Sequence, residues 1–106
     1  MTKVSVMYPN RPNARFDTEY YLNTHMPMAI GCLSAALKGV SVDIGMSGMM
    51  PGQPAPFAAM CHFLCESPQA FMEAFLPNAA QLQGDIPNYT NIEPVIQVSD
   101  LKLFRP

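Results

Sequence analysis

Apolar and polar residues alternate from Thr2 to Tyr8, with Val4, Val6 and Tyr8 on one side and Lys3, Ser5 and Met7 on the other. This predicts a strand with one well-buried face. Pro9 to Asn13 ends it as a loop. The period then lengthens. With Asp17 as N-cap and Phe16 and Tyr21 spaced as a hydrophobic staple, Tyr21, Leu22, His25, Met28, Ala29 and Cys32 form one apolar helical stripe with the imidazole in its middle. Pro27 removes a backbone donor and crowds the Asn23 carbonyl, which predicts a kink or break near Met26 and unpaired polar groups beside His25. The helix is expected to restart with Pro27 at a first-turn position and to stop at Gly39.

Val40 to Met46 alternate again and predict a second strand, while the prolines between Met49 and Pro56 predict a turn-rich connection. Phe57 to Glu66 reads as a third strand, apolar on both faces: Cys61 and Phe63 on one, Met60, His62 and Leu64 on the other. Ser67-Pro68 opens a second helix carrying Phe71, Met72, Phe75, Leu76, Ala79 and Ala80, which Pro77 is expected to break. Asp85 to Asn91 is a polar turn segment, and Ile92 to Phe104 predicts the last strand.

The order βαββαβ is that of a ferredoxin-like α+β fold: one domain over residues 1–106, with a four-stranded antiparallel sheet and two helices on one face. The other face is left bare. It is expected to pack against the same face of a second copy, giving a homodimer.

Composition strengthens that expectation. Of the 106 residues 49% are hydrophobic and only 13% charged, against roughly 25% charged in an average soluble protein. A small domain has much surface to cover, so an apolar face must be buried against another copy. The net charge of −2 comes without any basic cluster, which argues against nucleic-acid binding. The apolar stretches are too short for a membrane span and the N-terminus has no signal-peptide core, so the chain is expected to be soluble and cytoplasmic. Cys32, Cys61 and Cys65 lack a CxxC pair and read as small buried hydrophobes. With two distant histidines they make no zinc motif, and the glycines form neither a P-loop nor a dinucleotide fingerprint.

His25 is the candidate catalytic residue. An imidazole on an apolar wall can take a proton from a carbon acid or phenol and return it, water being kept away. Its plainer role would be a core histidine bonded to a carbonyl freed by Pro27. Asp17, two helical turns back, is sufficiently explained as a cap. Tyr21, one turn from His25, is a better pocket partner than Tyr20. Tyr8 ends the first strand and Tyr89 precedes the last, so both are expected near one pocket mouth; Asp85 and Asn88 are ascribed to turn chemistry. The face to which His62 points stays open: toward the pocket it would join His25, away from it the residue would be structural.

Phe16-Asp17-x-x-Tyr20-Tyr21-x-x-x-His25-Met26-Pro27, with the closing run Asp85 to Pro94, resembles the EthD family, named for ethyl tert-butyl ether degradation. The resemblance implies a dimeric α+β barrel with a pocket between sheet and helices in each subunit. Many proteins on that barrel work without metal or prosthetic group, and none is expected here. The expected ligand is a small, mostly apolar oxygenated metabolite of ether or aromatic catabolism. His25 would transfer a proton, with Tyr8, Tyr21, Tyr89 and His62 as substrate-binding residues, in monooxygenase-, cyclase- or lyase-like chemistry. The alternative is an accessory protein that binds the ligand without chemistry.

Overall fold

β1 (Thr2–Pro9) is a central strand of the computed structural model, which describes residues 1–106. It pairs antiparallel with β3 (Phe57–Cys65) on one side and β4 (Val95–Asp100) on the other, and β2 (Gly39–Ile44) pairs with the far edge of β3. The order β2-β3-β1-β4 is the ferredoxin-like antiparallel sheet predicted from the alternation. Register puts Val4 opposite Phe63 and Val98, and Val6 opposite Cys61 and Ile96, so these side chains share one face. Two helical arms cover that face. No helix is long and apolar enough to cross a membrane.

The first arm begins at α1 (Thr18–Tyr20), where Asp17 accepts from the Tyr20 amide at 3.1 Å and the Phe16 and Tyr21 rings meet at 4.9 Å. Cap and staple are therefore as predicted. Pro27 also lies, as predicted, in the first turn of a new helical segment, but the chain does not break there. A π-helical turn, Tyr21–His25, carries the chain without interruption into α2 (Met26–Leu33), and the Met26 amide reaches back to the Tyr21 carbonyl. One widened turn shifts the bonding register just ahead of the proline, so its missing donor falls at the first turn of α2. The arm also ends earlier than predicted, at Leu33, whose carbonyl takes the Ala36 amide at 2.9 Å. Gly39 is not a helix stop: it opens β2 opposite Leu64.

The second arm starts at α3 (Pro68–Phe75), capped by Ser67 Oγ on the Ala70 amide at 3.1 Å. Pro77 again bends the hydrogen-bond pattern instead of breaking it. A 3₁₀ turn, Leu76–Asn78, leads into α4 (Ala79–Gly84), and Asn78 Nδ2 donates to the carbonyls of Ala74 and Cys32, fastening one arm to the other.

Two strands are shorter than the alternation suggested. β2 stops at Ile44 because Gly45 folds against the next strand, where a Cβ would run onto the Phe57 carbonyl and lie 2.7 Å from Ala55 Cβ. β4 begins only after Pro94, which cannot donate to a ladder, and the bond from the Leu101 amide to the Met1 carbonyl is the last that β1 can offer. Ile92, predicted to open this strand, lies in the core ahead of it. Cys61 and Cys65 are buried and unpaired, and burial pushes the Cys61 thiol up to about 12. Cys32 is only half-buried.

Replacing Ser67 by Ala removes the α3 cap and is expected to lower stability by about 1 kcal/mol. Leu33→Ala, at a core position 2% exposed, is expected to lose about 2–5 kcal/mol. Urea denaturation of both variants checks the ranking; equal losses would mean that α2 does not anchor the core.

Candidate functional site

Between the arms and the covered sheet face lies a cavity of about 250 Å³, whose walls include Val4, Leu33, Phe63, Phe71, Phe75 and Leu82. Ile96 and Val98 of edge strand β4, each 55% exposed, stand on its rim. The only polar groups that side chains bring to this lining are the His25 imidazole, the Gln83 amide and the hydroxyls of Tyr8 and Tyr89.

His25 sits at the end of the π-helical turn, 7% exposed. Its Nδ1 lies 2.9 Å from Asp85 Oδ2. Asp85 follows α4 and heads the 3₁₀ turn Ile86–Asn88, so this bond joins the first arm to the end of the second. Tyr20 Oη donates to Asp85 Oδ1 at 2.7 Å, and Asn88 Nδ2 donates to the same oxygen at 2.9 Å. Burial raises the Asp85 pKa, but the hydrogen bonds from Tyr20, Asn88 and His25 outweigh it, holding the carboxyl below the usual carboxylate range. An ionised carboxylate only accepts, so Nδ1 carries a hydrogen and Nε2 is the nitrogen at which the ring gains or loses its other proton. Nε2 has no protein partner, yet no fully buried side-chain nitrogen or oxygen lacks one. His25 is a cavity-lining residue, and Nε2 is its unsealed nitrogen.

Aromatic rings hold the imidazole in place. Tyr21 stacks on it at 5.6 Å with planes 13° apart, and Tyr89 lies against it at 4.7 Å. Tyr89 meets Tyr8 through their hydroxyls, 2.7 Å apart. Burial raises the pKa of Tyr8, Tyr21 and Tyr89, which therefore stay neutral phenols across the physiological range. The segment carrying Tyr89 is bound to the head of the first arm: the Asp17 amide donates to the Tyr89 carbonyl at 2.7 Å, and Phe16 bridges to Thr90.

Of the residues predicted from the sequence, His25, Tyr8 and Tyr89 come together at the cavity. Tyr21 does not line it: it stands behind the imidazole, 1% exposed. His62 is on the opposite sheet face, because the inward positions of β3 are Ala59, Cys61, Phe63 and Cys65. There its Nδ1 is 2.7 Å from Ser5 Oγ and its Nε2 3.7 Å from Asp43, far from His25. Asp85, ascribed to turn chemistry, does bond Asn88 locally but also orients His25 across 60 positions of sequence. Tyr20, passed over for Tyr21, is the tyrosine that reaches Asp85. Helical spacing ranks neighbours on one helix and is blind to a carboxylate arriving from another segment.

The EthD domain profile matches residues 14–93, a span that includes the Asp17 cap, His25, Asp85 and Tyr89. Among solved structures, an EthD-like protein from Ralstonia eutropha JMP134 superposes with a TM-score of 0.93 at 43% identity, over 98% of this chain and 94% of that one. An ethyl tert-butyl ether degradation family protein from Bacillus halodurans C-125 shares the fold at TM-score 0.67 and 16% identity, covering 96% and 99% of the two chains. So does an Arabidopsis thaliana protein, at TM-score 0.64 and 10% identity, over the whole of both chains. No curated protein matches by sequence. From the profile match and the 43% identity to the Ralstonia protein, the chain belongs to the EthD family.

Proposed function

We propose that this chain binds a small, largely apolar oxygenated metabolite in the cavity and that His25 Nε2 exchanges a proton with it, using the protein's own side chains. The observation that carries this reading is the pairing at His25: Nδ1 is committed to Asp85, and Nε2 is left without a protein partner on a cavity-lining residue. A carboxylate on the far nitrogen fixes the tautomer and stabilises the imidazolium formed when Nε2 takes a proton. A histidine kept only for packing would have both nitrogens bonded. Apolar walls keep water from competing and strengthen every charge interaction inside. Family membership supports ether or aromatic catabolism as the setting, and monooxygenase-, cyclase- or lyase-like steps as the chemistry.

The same reading makes the protein a homodimer of the cytoplasm. Three unpaired cysteines suit a reducing compartment. The uncovered sheet face presents Met7, Met60 and Leu64 around Ser5 and His62, and a second copy of that face would bury them.

Three measurements test these points. In ¹⁵N NMR spectra the His25 Nε2 resonance is expected to move on adding phenol, acetylacetone or tert-butyl alcohol, and Asp85→Asn is expected to replace the single Nδ1–H tautomer by a mixture. A resonance indifferent to all three compounds leaves His25 structural and the protein a binding module. The Asp85 pKa is depressed on folding, so its stabilisation is complete above the ordinary carboxyl value of 3.8 and is lost as pH falls through its lower folded value. The stability gap between wild type and Asp85→Asn, read by denaturant titration, is thus expected to shrink as pH falls below about 4. Met60→Asp places a charge in the middle of the uncovered face and is expected to weaken the dimer at least about 100-fold in sedimentation equilibrium; an unchanged mass would place the interface elsewhere.

A further inference from the structure

The Tyr8–Tyr89 pair contains more hydrogens than it uses. Two hydroxyls 2.7 Å apart share one hydrogen between them, whichever donates, so the hydrogen of the accepting partner remains free of the pair. Both residues line the cavity, in which His25 and Gln83 bring the only other polar side-chain groups. The pair comes from two strands of sequence held in place independently. Tyr8 ends β1 opposite Ala59, and Tyr89 is fixed through its own carbonyl to the Asp17 amide. Rings of Phe16 and Tyr21 pack edge-on against Tyr8, at 5.2 and 5.8 Å, so neither hydroxyl is free to swing away. The Tyr89 ring lies 4.7 Å from the His25 ring. The hydroxyl-bearing pair and the imidazole therefore border one largely apolar cavity.

We propose that the Tyr8–Tyr89 hydroxyl pair is the oxygen-binding point of this cavity, and that its substrates are enolisable carbonyl compounds. It rests on the reading that His25 Nε2 is the proton acceptor. The carbonyl oxygen takes the pair's spare hydrogen, and the carbon next to the carbonyl faces the imidazole. His25 Nε2 removes a proton from that carbon, the C–H electron pair becomes the C=C bond of an enolate, and the former carbonyl π pair passes to the oxygen held by the tyrosyl hydroxyl. The imidazolium, balanced by Asp85, returns the proton to the same carbon or to another carbon of the delocalised anion. The net change is proton exchange or isomerisation, with no oxidant or reductant consumed. A donor aimed at the oxygen where charge develops accelerates such a step because it binds the enolate more tightly than the ketone.

A phenol has the shape and charge distribution of an enol, so 4-nitrophenol serves as the probe and 4-nitrotoluene as its match without the hydroxyl. Binding is read by NMR titration, and the ionisation of bound nitrophenol by its visible absorbance. Wild type is expected to prefer nitrophenol by at least about tenfold, since a buried donor left unpaired rejects the hydroxyl-free ligand. Tyr89→Phe and Tyr8→Phe are each expected to remove most of that preference while holding nitrotoluene within about twofold of its wild-type affinity. The two variants change different segments, so failure of one to fold leaves the other as the test. Equal binding of the two probes to wild type, or a preference that survives in both variants, overturns the oxygen-binding assignment. His25→Gln is expected to keep the preference but to shift the bound nitrophenol toward its neutral form. If the ionised fraction does not respond, the proton-acceptor reading fails and the enolisation step with it, while the oxygen-binding point stands. If neither probe binds, both proposals fall.

Discussion

The bond between His25 Nδ1 and Asp85 Oδ2 ties the first helical arm to the corner that follows the second. His25 belongs to the π-helical turn of the first arm, and Asp85 to the corner where the second arm turns back toward the sheet. The carboxylate is itself held by Tyr20 and Asn88, so the imidazole is oriented by a group that has little freedom of its own. Removing either partner would leave the other poorly satisfied in a place where water cannot fully replace it. Because the ion only accepts hydrogen bonds, the same contact that closes the structure also decides which nitrogen of the histidine is basic.

The surroundings of that nitrogen follow from a different constraint. The covered face of the sheet and the inner stripes of both arms are almost wholly aliphatic and aromatic, which leaves the few polar atoms of the cavity without competitors. Tyrosine suits such a place, as its ring contributes apolar area while its hydroxyl needs only one partner. Tyr8 and Tyr89 satisfy each other. Burial keeps them protonated, so they remain donors where an anion would otherwise be poorly solvated.

Proline shapes how the arms reach these positions. Pro27 and Pro77 both lie inside helical runs, and in each case the chain changes hydrogen-bond register, widening to a π turn before one and tightening to a 3₁₀ turn around the other. Neither change breaks the arm, since the missing donor is moved to where a helix start leaves donors unpaired in any case. The π turn also places Tyr21 flat behind the imidazole. That stack, with the Asp85 bond, leaves the ring little room to rotate.

Sequence alone determined what depends on local period and on the chemistry of single residues. Alternation located β1 and β2, a run apolar on both faces located β3, the Asp17 and Ser67 caps located the starts of both arms, and the βαββαβ order then allowed one sheet with the arms on one side. It also singled out His25, as the imidazole within an apolar helical stripe, and Tyr8 and Tyr89, as residues at the ends of neighbouring strands, alongside Tyr21 and His62, which do not line the cavity. Tertiary structure decided everything that depends on which segments meet. A strand apolar on both sides could not say which side faces the helices, and only pairing with β1 turned His62 outward to Ser5. Strand ends were set by what the neighbour could offer, as at Leu101, and by the close approach of Phe57 to Gly45. Asp85 looked like an ordinary turn residue because its local bond to Asn88 is an ordinary turn bond. Its second oxygen meets His25 only once the two arms lie side by side, and a contact spanning 60 positions leaves no periodic trace in the chain.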